Sequence, residues 1–152
     1  MDGYVVTVER VIPAPPEAIF AYLADARKHS EIDGSGTVQE TKAGVPERLC
    51  LGSKFGMSMK MGISYSMVST VTEFEDNRLI AWQSHLSGPL GKFVGGRTWR
   101  YQLEPVEGGT RVSESWDLSN DKQRVLLKHG NLSAQTRINM EKTLERIEKL
   151  VA

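Results

Sequence analysis

Tyr4-Val-Val-Thr-Val-Glu-Arg-Val-Ile12, running directly into Pro13-Ala-Pro-Pro-Glu-Ala-Ile-Phe-Ala-Tyr-Leu-Ala-Asp25, changes its hydrophobic period in mid-course. Val6, Val8 and Ile12 share one side of a two-residue period, whereas Ile19, Phe20, Leu23 and Ala26 recur at helical spacing. The prolines between 13 and 16 mark the joint. Pro15 or Pro16 can take the first helical position, where no amide hydrogen is needed, and Glu17 then lies beside the positive end of the helix dipole. A strand that enters a helix at once and is then followed by many strands narrows the possible folds sharply.

Beyond this joint, Asp25 to Gly34 is polar apart from Ile32 and reads as a short second helix with a turn. A modest strand fits Thr37 to Lys42, interrupted by Ala43-Gly-Val-Pro-Glu47. Phe55, Met57, Met59 and Met61 alternate with Gly56, Ser58, Lys60 and Gly62, the pattern of an antiparallel sheet with one wet face. Tyr65 to Glu75 and Arg78 to His85 form a hairpin over Asp76-Asn77. The inward face of 78 to 85 stays open, because Leu79/Ala81 and Ile80/Trp82 are both apolar. Arg97 to Glu104 and Thr110 to Leu118 make a further hairpin over Pro105 to Gly109. If Leu103 faces Val112, then Tyr101 lies opposite Glu114 and Trp99 opposite Trp116, all on one face. Arg100, Gln102, Glu104, Arg111, Ser113 and Asp117 fall on the solvated face. Met140, Leu144, Ile147 and Val151 then form the stripe of a long amphipathic helix with an exposed Glu145/Lys149 pair. Gly130-Asn131 separates it from a shorter helix around Asp121 to Lys128, with Ser133 as the candidate N-cap.

At 152 residues the chain fits a single domain, residues 1–152, large enough for a core without staples. Nineteen basic and nineteen acidic residues cancel without forming like-charge blocks, which argues against nucleic acid or anionic lipid as a partner. Cys50 is the only cysteine and reads as a small, semi-buried residue in a protein without disulfides. The composition also lacks a cationic leader and any apolar run of the ~20 residues a membrane helix needs. A cytoplasmic protein without stable membrane insertion is expected. Three histidines far from the cysteine give no metal-ligand spacing, and no cofactor is expected. The glycine-rich Gly88 to Gly96 lacks the order that cradles phosphates.

Three strings, in this order and spacing, carry a resemblance. They are Ile12 to Asp25, Val71-Thr-Glu-Phe74 leading into Arg78-Leu-Ile-Ala-Trp82, and Gly108-Gly-Thr-Arg-Val-Ser-Glu-Ser-Trp116. The chain resembles the START-like, or SRPBCC, superfamily, nearest its bacterial polyketide cyclase/dehydrase-like proteins. The resemblance implies an α+β helix-grip fold: a curved antiparallel sheet of about seven strands around a long C-terminal helix, with two short helices after the first strand. It also implies a deep apolar cavity. Members bind lipids, sterols, polyketides, hormones or quinones and only some are enzymes, so the fold favours a hydrophobic ligand and says little about chemistry.

Within that frame the methionine row at 57, 59 and 61, joined by Met67, is unusual for strands. Its flexible, polarizable side chains suit apolar guests of variable shape, and equally they suit ordinary packing against the terminal helix. Glu114 sits between Val112 and Trp116 and would point inward with Trp99 and Tyr101, so it needs a partner, for which Tyr101 and Arg97 are candidates. His29 and His85 read as partly exposed and without special task. The first functional expectation is a protein that binds a small hydrophobic or amphipathic ligand, such as a lipid, polyketide or aromatic compound. Its lining would be Met57, Met59, Met61, Met67, Trp99, Tyr101, Glu114 and Trp116, with Arg97 as a second polar anchor and Leu90, Phe93 and Val94 as a gate. The second is a polyketide or aromatic cyclase or dehydratase in which Glu114, Tyr101 and Arg97 are the catalytic candidates. The third is a protein-interaction module docking through the Gly88–Gly96 loop, with a homodimer as one form.

Overall fold

The computed structural model describes residues 3–36, 38–41 and 48–152; the side chains of residues 39–41 and of Met61 lie outside the described residues. Strand β1, Val5–Ile12, buries Val6, Val8 and Ile12 as the alternation requires. Pro15 caps and Pro16 opens helix α1, Pro16–Leu23, whose Ile19, Phe20 and Leu23 are fully buried. A 3-10 turn, Ala26–Lys28, leads into helix α2, His29–Ile32; the Asp25 side chain caps the turn by accepting from the backbone N–H of Arg27 at 3.0 Å.

The other strands are β2, Val38–Thr41; β3, Lys54–Met61; β4, Ile63–Glu75; β5, Leu79–Leu86; β6, Gly95–Val106; and β7, Gly109–Asp117. With β1 they form one seven-stranded antiparallel sheet in the order β1-β7-β6-β5-β4-β3-β2. Register shifts in the β2/β3, β4/β5 and β5/β6 pairs bend the strands as bulges do. Helix α3, Arg124–His129, and helix α4, Leu132–Val151, complete the chain. The α4 cap is Asn131, so Ser133 lies inside the helix rather than at its N-cap.

The β6/β7 register places Leu103 opposite Val112, Tyr101 opposite Glu114 and Trp99 opposite Trp116. In β5, Ile80 and Trp82 pair with Tyr101 and Trp99 and share their inward face, which resolves the open choice between the two apolar pairs. Ala81 is buried on the other face, opposite Arg100. There Arg100 bridges Glu73 at 2.6 Å and Asp117 at 3.4 Å. Asn77, with φ of 61°, makes the tight turn after β4. Cys50 is exposed rather than semi-buried, because it lies in the turn before β3 with its backbone N–H donating to Ser53 Oγ at 3.0 Å.

The antiparallel order sorts the molecule into two ends. At one end, where β1 and β6 finish, Ile12, Leu103 and Val112 pack with α1 and with Leu144 and Ile147 of α4 into a solid core. At the other, where β1, β4 and β6 begin, α2 and the first half of α4 stand away from the sheet. Gly34 ties α2 to α4: its N–H donates to Thr143 Oγ1 at 2.8 Å, and a Cβ there would lie 2.2 Å from the Asn139 carbonyl oxygen.

Candidate functional site

The space between α2, α4 and the sheet is a cavity of about 310 Å³. Antiparallel pairing builds its sheet wall by setting Met57 across from Met67 and Met59 across from Tyr65. Trp82, Trp99, Trp116, Tyr101 and Glu114 continue that wall through β5, β6 and β7. The helical wall carries His29, Ile32 and Asp33 from α2 and its following turn, and Leu132, Thr136, Asn139, Met140 and Thr143 from α4. A wider but shallow groove between β1 and α4, lined by Thr7, Glu9, Arg10, Arg137, Glu141 and Glu145, offers charged side chains and no apolar enclosure.

Of the residues singled out by sequence, Met57, Met59, Met67, Trp99, Tyr101, Glu114 and Trp116 all line this one cavity. The Met61 side chain lies outside the described residues. Val94 is on the wall, while Leu90 and Phe93 are exposed to solvent around the short turn Pro89–Lys92. Arg97 reaches the cavity but does not pair with Glu114; its Nε donates to Asp121 Oδ2 at 3.1 Å, and Asp121 is completely buried. The strand explains the difference. Tyr101 stands directly across from Glu114, whereas Arg97 is four residues further along β6, a separation of about 13 Å at ~3.3 Å per residue.

Glu114 is 2% exposed, and its Oε1 has no hydrogen-bond partner among the described residues. Tyr101 stands directly across the strand pair from Glu114, and its phenol favours the charged carboxylate. Burial outweighs that influence and, with a smaller push from Asp33, raises the Glu114 pKa from 4.5 to about 8, so the group is mostly protonated at neutral pH. Burial first and Glu114 second hold the Tyr101 phenol well above its ordinary value. Asp33 is held by the Ser35 hydroxyl at 2.7 Å and by the Val38 N–H at 3.0 Å.

His29, expected to be partly exposed, is buried. Its ring stacks on Trp82 at 4.8 Å and meets Phe55 edge-on at 5.4 Å. Nε2 lies 2.9 Å from the Leu23 carbonyl oxygen, which can only accept, so the proton sits on Nε2. Desolvation lowers the pKa to about 4 and keeps the ring neutral. Nothing local foretold this, because Asp25 to Gly34 reads as polar surface. Tyr65 was findable, since it shares the two-residue period of Met67. The polar α4 residues Thr136, Asn139 and Thr143 were hidden because a search for an apolar stripe passes over them.

Among the described residues no group of His, Cys, Asp and Glu side chains is placed to hold a metal ion. No helix among them is long and apolar enough to cross a membrane.

A family model described as polyketide cyclase / dehydrase and lipid transport matches residues 4–152. An uncharacterized protein of Mycobacterium tuberculosis is 41% identical over 108 residues, covering 70% of this chain and 44% of that protein, so the match spans less than half of that relative. A solved protein structure from Nitrosomonas europaea superposes with a TM-score of 0.74 at 15% identity, covering 99% of this chain and 95% of the other. The Aha1 dimer from Colwellia psychrerythraea superposes with a TM-score of 0.66 at 18% identity, covering 97% and 95%. At such identities the structural likeness speaks for the fold alone.

Proposed function

The chain belongs to the polyketide cyclase / dehydrase and lipid transport family, and from that premise we propose that it holds a small apolar or amphipathic molecule in the cavity between α4 and the sheet. One observation carries the reading: all three tryptophans of the chain, together with Met57, Met59 and Met67, face a single space whose surface is mostly apolar although polar side chains are set among them. Its volume, about 310 Å³, is that of about ten liquid waters and falls at the lower end of small-molecule sites. Such a space suits a compact ring system better than a molecule with two long acyl chains. Glu114, across the strand pair from Tyr101, is the polar anchor within, and Arg97 is the anchor nearer Val94. Entry is assigned to the β5–β6 loop, because Leu86 and Val94 line the cavity and are joined by a backbone hydrogen bond of 3.1 Å at the loop's base.

The tryptophans provide the test. Titration with the amphipathic dye anilinonaphthalene sulfonate should quench their fluorescence saturably at one dye per chain, and native mass spectrometry should show a retained apolar adduct. A tryptophan signal indifferent to the dye, in a protein that carries no adduct, removes the reading.

A second reading, a cyclase or dehydratase, draws on the protonated Glu114 beside Tyr101. A neutral carboxyl in a water-poor cavity can donate a proton to a carbonyl or a leaving hydroxyl, with Tyr101 orienting it. On that reading Glu114→Gln abolishes turnover of a poly-β-keto substrate; undiminished product formation by the variant dismisses it.

A further inference from the structure

The net charge of zero does not tell where the cations lie, and the sheet topology gathers several of them at one end. The β3–β4 turn, the β5–β6 loop and the segment from β7 to α4 all emerge at the end of the sheet where the cavity lies. The β5–β6 loop and the segment after β7 touch directly, since the Lys122 N–H donates to the Gly95 carbonyl at 2.9 Å. Across residues 60–64, 87–96 and 119–131 the chain carries Lys60, Lys92, Lys122, Arg124 and Lys128 against a single carboxylate, Asp121, which is buried and paired with Arg97. At the opposite end the carboxylates are matched: Glu75 pairs with Arg78, Asp76 with Arg48 at 2.6 Å and Glu104 with Arg111 at 3.0 Å.

The cationic end is also the greasy one. Ile63 at 74%, Phe93 at 70% and Leu126 at 73% are among the most exposed large apolar side chains, and Leu90 and Val125 join them. Apolar tips spaced among lysines and arginines match the interface of an anionic bilayer, where the tips enter the acyl boundary and the cations meet lipid phosphates and carboxylates. We propose that this end of the molecule, formed by the β3–β4 turn, the β5–β6 loop and α3, docks reversibly on anionic lipid surfaces. Docking in this pose turns the cavity end toward the membrane. This departs from the expectation from composition, which set anionic lipid aside, because summing charges discards their positions.

The experiment is co-sedimentation with phosphatidylcholine vesicles, with and without about one third phosphatidylserine. Binding is expected to the anionic vesicles and not to the neutral ones, and to be lost near 1 M salt, where the screening length is only ~3 Å. Replacing Lys122 and Arg124 together by glutamine should weaken it about thirtyfold, at roughly fivefold to sixfold per cation. Leu126→Ser should weaken it with the charges intact. These side chains are exposed, so unchanged tryptophan emission verifies the fold of each variant. Equal binding to both vesicle types, or unimpaired binding by both variants, overturns the proposal. So does a protein that ignores vesicles and self-associates in a salt-sensitive manner, which would give this end to a second copy. Quenching by the dye without vesicle binding sinks this inference and spares the cavity reading; vesicle binding without dye quenching does the opposite.

Discussion

Glu114 and His29 are buried uncharged at neutral pH, and their titrations pull stability in opposite directions. For Glu114 the folded pKa of about 8 lies above the reference 4.5. Its contribution is therefore complete below 4.5 and drains away as pH rises to about 8, at up to about 1.4 kcal/mol per pH unit. For His29 the folded pKa of about 4 lies below the reference 6.5, so its contribution is complete above 6.5 and drains as pH falls to about 4. Between 4.5 and 6.5 the two slopes oppose each other. Urea unfolding across pH should then show wild-type stability falling from pH 6.5 to 8, and Glu114→Gln without that fall. The variant should instead show the His29 slope uncovered below 6.5. A pH profile unchanged by the substitution would mean that Glu114 is charged in the folded protein.

Helix α4 does two jobs along its length. Its C-terminal turns present Leu144 and Ile147 to the core, while the stretch from Leu132 to Thr143 turns Leu132, Thr136, Asn139 and Thr143 to the cavity. The turn after α2 ties down the middle of the helix, where these two stretches meet: Gly34 at Thr143, and Arg146 donating to the Asp33 carbonyl at 2.5 Å. A Cβ at position 34 would meet the Asn139 carbonyl at 2.2 Å and the Thr143 nitrogen at 2.6 Å, both backbone atoms that cannot swing away. Gly34→Ala should therefore lift the turn from α4 at a cost of about 1–3 kcal/mol. Hydrogen exchange should quicken in α2 and around residues 139–146 of α4 and stay unchanged in β6 and β7; uniform protection throughout would refute the coupling.

Over the whole molecule, one end is filled and the other hollow, and truncations should report the difference. Leu144→Ala, in the solid end, should cost roughly 2–5 kcal/mol. Met59→Ala should cost distinctly less, because its side chain already borders empty space and the deletion enlarges a void instead of opening one. Denaturant midpoints measure both, and equal losses would argue that the cavity end is packed in solution. A bound guest should raise stability as the logarithm of its concentration over Kd, about 2.7 kcal/mol at a hundredfold excess.

Much of the sheet was legible because alternation is a local consequence of the pleat: Val112, Glu114 and Trp116 must share a face whatever else the chain does. Once the β6/β7 turn was read, the pairing of Tyr101 with Glu114 followed from counting along two strands. Period alone could not choose between Ile80/Trp82 and Leu79/Ala81, since both pairs are apolar, and the neighbouring strands decided it. Arg97 found Asp121 and not Glu114 because the chain after β7 folds back beside Gly95, a contact between residues far apart in sequence. His29 is buried because Trp82 and Phe55, on separate strands, close over a segment that looks like surface. The sequence by itself determined which side chains share a face, through the fixed geometry of strand and helix. Only the tertiary structure decided which faces meet, where the space is left between them and which end gathers the cations, because those are long-range distances that no local period contains.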